Sequence, residues 1–220
     1  MNRFHSFTDL PTRLPLFPLA GVVLMPRGAL PLNVFEPRYL KMVDDALKGD
    51  RLIGIIQPAE NPDTVLTPKL SAIGAAGRIL SFRETDDNRY LITLAGLCRF
   101  RLRGELGGEA EGGTPYRVGL CDFSPFAGDM AEEAAEDNFP RERLLTALRL
   151  YLNRRDMKAD WKSVTSAEPE ALVNALAMMC PFEPAEKQAL LEAPSFGERV
   201  STLVAILEMA SAAAGSQSLN

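Results

Sequence analysis

The sequence predicts an α+β protein, a curled β-sheet subdomain followed by an α-helical bundle. Three observations predict it. Up to Phe126 the apolar residues fall in short alternating or continuous runs broken by turn residues, whereas from Leu144 onward they recur at helical spacing. Glycines at 54, 74, 77 and 96 stand inside the strand-like runs, where they permit the bulges and bends that curl a small sheet toward a barrel. Between the two regimes lies an acidic, small-residue stretch beginning "AGDMAEEAAEDN". The expected organisation is a tail over 1–13, a β-rich part over 14–126, an acidic linker over 127–138, a helical bundle over 139–213 and a tail over 214–220.

The first elements meet in "LPLNVFEPRYLKM", residues 30–42. Leu30, Leu32 and Val34 alternate with Pro31, Asn33 and Phe35 as in a strand, and from Pro37 onward the spacing turns helical. Proline at the first helical position has no N–H to leave unsatisfied, and a glutamate before it is favoured by the positive end of the helix dipole. Glu36-Pro37 is therefore a strand-to-helix corner, in which Glu36 and Arg38 can pair with each other. Tyr39, Leu40, Met42, Val43, Ala46 and Leu47 form the expected buried face, Asp44 and Asp45 the outer one, and Gly49 the stop. A short apolar strand follows over Arg51–Ile56. "AIGAAGRILSF" and "RYLITLAGLCRFRL" then flank the polar turn Glu84–Arg89 as a hairpin. Gly104–Thr114, with five glycines and three glutamates, reads as a mobile loop, and "YRVGLCDF" as a last strand.

Three amphipathic helices are expected beyond the linker, centred on Leu144–Leu152, Leu172–Met179 and Val200–Ala210. Pro140 marks the start of the first. Thr165 with Glu168 and Ser195 with Glu198 have the spacing of a capping box for the other two, and "CPFEP" stops the middle helix.

Composition narrows the function. With 46% apolar and 24% charged residues the chain is globular in type, and the absence of a long apolar run or signal-like start predicts a soluble cytoplasmic protein without a membrane partner. Cys98, Cys121 and Cys180 are too far apart for a disulfide framework or a metal clip and read as buried, reduced thiols. His5 is the only histidine and lies in a terminus expected to fray, which removes histidine-based catalytic and metal sites. No phosphate-cradling glycine motif is present, so no nucleotide, cofactor, metal or catalytic residue is assigned. The net charge of -5 disfavours nucleic acid, although Arg99, Arg101 and Arg103 alternate along one strand and Asp129 to Asp137 form an acidic cluster. Both read as solvated surface.

The order of motifs adds a resemblance. "LPLFPLAGVVLMPRGALPLNVFEPRYLKMVDDAL", then "RLIGIIQP", "GAAGRILSF", "RYLITLAGLCRF", "LVNALAMMCPFEPAEKQALLEA" and "ERVSTLVAILE", resembles the LON substrate-binding domain, the N-terminal domain of the Lon protease family. The resemblance implies a PUA-like pseudo-barrel followed by helices. It implies recognition of polypeptide substrates, or of a partner protein, without enzymatic activity, since ATP hydrolysis and proteolysis belong to other domains of that family. Neither a Walker motif nor a Ser-Lys protease domain is seen here, so the likeness is to a stand-alone LON-domain protein. Glu36 and Arg38 are the candidate peptide-binding residues, placed where a neighbouring chain can reach them. The alternative is an RNA-binding PUA-like domain, suggested by fold analogy and by Arg99, Arg101 and Arg103.

Overall fold

The computed structural model describes residues 4–60, 67–106, 113–131 and 139–216. Its strands are β1 (Arg13–Pro18), β2 (Ala29–Val34), β3 (Leu52–Pro58), β4 (Leu70–Glu84), β5 (Tyr90–Leu106) and β6 (Val118–Asp122). Helix α1 (Pro37–Lys48) lies between β2 and β3. The C-terminal part holds α2 (Arg141–Arg154), α3 (Trp161–Ser166), α4 (Pro169–Met179), α5 (Pro184–Glu192) and α6 (Phe196–Ser216). No helix among the described residues is long and apolar enough to cross a membrane.

The sheet order is β2-β5-β4-β3-β1-β6, and β5 also pairs with β6, so five strands close on themselves and β2 is left outside. Closure is possible because β5 is long and bent. Residues 90–95 pair with β2, whereas residues 101–106 pair with β6. The bends are register shifts: between Ala76 and Gly77, between Ile79 and Ser81, and between Leu102 and Gly104. Each leaves one residue unopposed, which increases local twist and turns the strand. Gly74 serves the interior instead. A Cβ there would stand 2.6 Å from the Phe100 ring and 2.7 Å from the Ile55 carbonyl, so the glycine makes room for the fully buried Phe100.

Strand and helix cores form one buried cluster, running from Leu16, Ile55 and Phe100 in the barrel to Leu148, Tyr151 and Leu203 in the helices. Of the residues expected on the core face of α1, Tyr39, Met42, Val43 and Ala46 are buried, but Leu40 and Leu47 are only half-buried. Asp45 is half-buried rather than outermost. Its carboxylate accepts from Lys41 and from the Tyr116 hydroxyl at 2.9 Å, and the Lys41 bond holds it below the usual carboxylate range. The Tyr116 hydroxyl is pushed up to about 12 by burial and by that same carboxylate.

Several expectations change. The N-terminus around His5 is not frayed: Phe4 and Leu10 are buried, and Ser6 and Asp9 cap the 3-10 turn Phe7–Asp9 reciprocally. The described C-terminal part has five helices, not three. Thr165 caps nothing, because it lies within α3 and its hydroxyl donates to the Trp161 carbonyl at 2.7 Å; Asp160 caps that short helix. Glu168 precedes Pro169 at the start of α4 without a side-chain cap bond, and "CPFEP" both ends α4 and, through Glu183 and Pro184, starts α5. Ser195 does cap α6, accepting the Glu198 N–H at 3.2 Å. The linker expected over 127–138 begins inside a 3-10 segment, Ser124–Met130, and its residues 132–138 lie outside the described residues. Most of the loop expected over 104–114 also lies outside them, while β5 itself runs to Leu106.

The three cysteines are free and buried, as expected. Burial pushes the thiols of Cys98 and Cys121 up to about 12 and that of Cys180 up to about 11, so all are neutral at pH 7 and poor nucleophiles. A thiol-exchange reagent at pH 8 is expected to modify none of them in the folded protein and all three in guanidinium. Rapid modification of the folded protein would contradict the burial.

Candidate functional site

β2 is the exposed edge of the sheet, paired on one side only with β5. Pro31 stands in its middle opposite Thr93. A residue without an N–H is tolerated in a strand where that N–H would face away from the ladder. Asn33, two residues on, shares this orientation, so its N–H also points to the open edge.

Register shows which side chains share a face. Leu30, Leu32 and Val34 lie opposite Leu94, Ile92 and Tyr90, on the side that turns inward. Ala29, Pro31 and Asn33 lie opposite Ala95, Thr93 and Leu91, which in turn face Arg78, Ser81 and Arg83 of β4. Among the described residues no element covers this second side, and Ala29, Pro31, Asn33, Ser81 and Arg83 are exposed. Pro31, Asn33, Ser81, Arg83, Leu91 and Thr93 border a shallow hollow of about 540 Å³. Beyond Ala29 a second cleft of about 360 Å³ opens between Gly28 and the α4 methionines Met178 and Met179. Thus β2 runs from a methionine-lined cleft at one end to the Glu-Pro-Arg corner at the other.

The corner holds itself together. Arg38 Nε lies 2.9 Å and Nη2 2.8 Å from Glu36 Oε2, and the guanidinium sits 4.6 Å from the centre of the Tyr39 ring. Both side chains remain roughly half exposed, so the pair is reachable although each charge already has a partner. Exposed apolar groups stand along β2 from the corner to the cleft. Phe35 is 61% exposed with Arg89 over its ring, and Phe82, 41% exposed, meets Tyr90 edge-on at 4.9 Å. Leu80, unopposed at the β4 bulge, is 63% exposed, and Met179 is 80% exposed. Sequence reading missed Leu80, Phe82 and Met179 as surface groups. Phe35 could have been found, since strand alternation places it on the side of Pro31 and Asn33.

The arginine stripe does not exist as a surface. Arg99 is buried: its Nε and Nη2 hold the Asp129 carboxylate at 2.9 and 2.8 Å, and its Nη1 donates to the carbonyls of Leu191 and Ala193. Arg103 is tied to Asp122, leaving Arg101 as the only one of the three without a described carboxylate. Asp129 likewise leaves the acidic surface cluster for the interior. A related network closes the floor of the methionine cleft. Arg27 pairs with Glu170 through two nitrogens, Asn174 donates to Glu170 and to the Pro26 carbonyl, and Arg199 donates to Asn174. Burial and the neighbouring Arg99 bring the Arg199 guanidinium down to about 10, still charged at neutral pH. These polar groups are committed to joining barrel and helices. What faces solvent at β2 is its unpaired main-chain edge and the sheet face of Ala29, Pro31 and Asn33.

Comparison with known proteins agrees with this architecture. Residues 13–209 match the family model described as the ATP-dependent protease La (LON) substrate-binding domain. The chain belongs to the LON substrate-binding domain family. Lon protease 2 of Sorangium cellulosum is 30% identical over 202 residues, covering 88% of this chain and 24% of that protein. Lon protease 2 of Myxococcus xanthus is 27% identical over 204 residues, again 24% of its length. The chain thus spans about a quarter of these relatives. The crystal structure of a Lon N-terminal domain protein from Xanthomonas campestris superposes with a TM-score of 0.58 at 26% identity, covering 89% of this chain and 98% of that one. The N-terminal domain of Lon protease from Mycobacterium avium complex gives 0.61 at 15% identity and shows the same fold. This LON domain is therefore a Lon N-terminal-like module, with the pseudo-barrel and helices that the resemblance implied.

Proposed function

We propose that this LON domain is a non-enzymatic module of the cytoplasm that binds extended polypeptide segments by adding them as a strand to β2. The observation that carries the reading is the unpaired edge of β2 beside an uncovered, largely apolar sheet face. Main-chain pairing supplies affinity without sequence preference, and the hollow and the methionine cleft supply side-chain pockets. Pairing a short segment through a few hydrogen bonds, each worth about 1 kcal/mol net, is offset by the cost of association; affinities on the order of 10–100 μM follow. Weak, sequence-tolerant binding suits a domain that samples unfolded substrates or one exposed loop of a partner. Glu36 and Arg38 serve in this reading as the charged boundary of the strand site.

A peptide array probed with the full chain, run beside thermal melts, tests it. Asn33→Pro removes the outward N–H and is expected to lower retention of apolar peptides roughly fivefold, about one hydrogen bond's worth, in a protein that still melts cooperatively. Glu36→Lys with Arg38→Glu is expected to change which flanking charges are retained while the melting temperature stays nearly constant. If folded Asn33→Pro retains the same peptides as wild type, strand addition at β2 is wrong.

A further inference from the structure

A second surface lies on the helical part and shares no residue with the β2 site. Between Arg141 and Lys162 seven side chains are basic and three acidic, in a chain whose net charge is -5. Seven arginines sit on carboxylates in ion pairs among the described residues, and of these only Arg143, on Glu208, belongs to this segment. By contrast Arg149, Arg154, Arg155, Lys158 and Lys162 are all exposed, and none of them pairs with a carboxylate among the described residues. The acids nearby are otherwise engaged or outnumbered. Asp160 caps α3 by accepting from Lys162 N, Ser163 N and the Ser163 hydroxyl, and Glu186 accepts the Glu183 N–H. Asp156, with φ +51° on the turn after α2, takes part in no ion pair among the described residues.

Two of these cations are already oriented. Arg149 lies 4.9 Å from the centre of the Trp161 ring and Arg155 4.8 Å from that of Tyr151. Stacking a guanidinium on a ring fixes its plane and leaves its outward N–H groups free, which lowers the ordering cost when an anion arrives. Between the charges stand apolar groups that the fold leaves uncovered: Leu150 is 52% exposed on the same arc of α2 as Arg149 and Arg154, and Met157 is 37% exposed just beyond.

We propose that the end of α2 and the start of α3 form a docking surface for an acidic, amphipathic polypeptide segment, its carboxylates on Arg149, Arg154, Lys158 and Lys162 and its apolar side chains on Leu150 and Met157. Charge complementarity selects an anion. The intervening Leu150 and Met157 select a polypeptide over a phosphate backbone, which would leave them solvated. The aromatic rings point the same way: Tyr151 is buried and Trp161 is covered by Arg149, so neither offers a free face for stacking a base. The overall negative charge of the chain also opposes a polyanion that extends past the patch.

Fluorescence anisotropy of the full chain with a labelled peptide of repeated Glu-Leu-Asp-Phe tests the surface. Binding is expected at about 0.05 M salt and should weaken steeply by about 0.3 M, as the screening length shortens. Arg154→Glu with Lys158→Glu is expected to weaken it at least tenfold without moving the melting temperature, and Leu150→Ser severalfold by itself. Should the charge reversal disturb folding, Arg154→Gln with Lys158→Gln is expected to give a loss of about fivefold in a protein of native stability. Equal binding of a Lys-Leu-Lys-Phe peptide, or no change in the folded double variants, overturns the proposal. Tighter binding of oligo-dT through the same residues also overturns it, in favour of nucleic acid.

Discussion

Asp129→Ala is expected to destabilise the protein by about 3–5 kcal/mol, the usual cost of stripping one partner from a buried ion pair. Arg99 and Asp129 side chains are only 5% and 8% exposed, and the carboxylate takes the Arg99 N–H as well as two guanidinium nitrogens. Without it a cation remains in the interior with the carbonyls of Leu191 and Ala193 and the Phe126 ring at 4.4 Å, which share its charge but do not neutralise it. Urea unfolding followed by circular dichroism measures the loss. Asp87→Ala is the control: it breaks an ion pair to Arg89 whose side chains are 59% and 48% exposed, and should move the urea midpoint far less. Replacing both Arg99 and Asp129 by apolar residues of similar size should recover much of the loss, because the penalty lies in the unpaired charge. A wild-type midpoint for Asp129→Ala would mean that water reaches the pair.

Leu203→Asp is expected to cost at least about 4 kcal/mol, since it places a carboxylate without a partner at a fully buried position of α6. The effect should not stay in the helices. Arg99 reaches from β5 to the end of α5, and Arg27 from the loop before β2 to α4, so loss of the helical packing strips the barrel of partners for two cations. Barrel and helices should therefore melt in one transition at a lower temperature. Ala205→Asp, two residues along the same helix but exposed, should change stability by less than about 0.5 kcal/mol. Two separate transitions in Leu203→Asp would show that the barrel stands without the bundle.

What could be read from the sequence is what local periodicity encodes. The alternation of Leu30, Leu32 and Val34, the proline at position 37 and the helical run after it define β2, the corner and the core face of α1. The turn residues 85–88 define the β4–β5 hairpin. The burial of the three cysteines also followed from spacing and context. What could not be read depends on distant partners. Arg99, Arg101 and Arg103 share a face by strand alternation, and only the register shift beside Arg103 and the covering helices separate them into one buried and two exposed residues. Helix α3 escaped because Trp161 and Val164 alone make too short an apolar pattern. The β2 edge itself was legible as a strand but not as an edge, since edge position is set by which strand fails to arrive on its other side.

The ties between barrel and helices also set an order of events during synthesis. Arg99 meets its carbonyl partner Ala193 across 94 residues, and Arg27 meets Glu170 across 143. At roughly 5–20 residues per second, a ribosome delivers those partners about 5–30 s after the arginines have emerged. Asp129 reaches Arg99 sooner, but from the emergence of β6, which ends at Asp122, until Glu170 and Ala193 follow, the strands β1 to β6 are all present while Arg27 lacks its carboxylate and the outer wall of the barrel lacks its helices. A newly made chain of this kind is itself, for several seconds, the sort of exposed polypeptide that a substrate-binding domain would recognise.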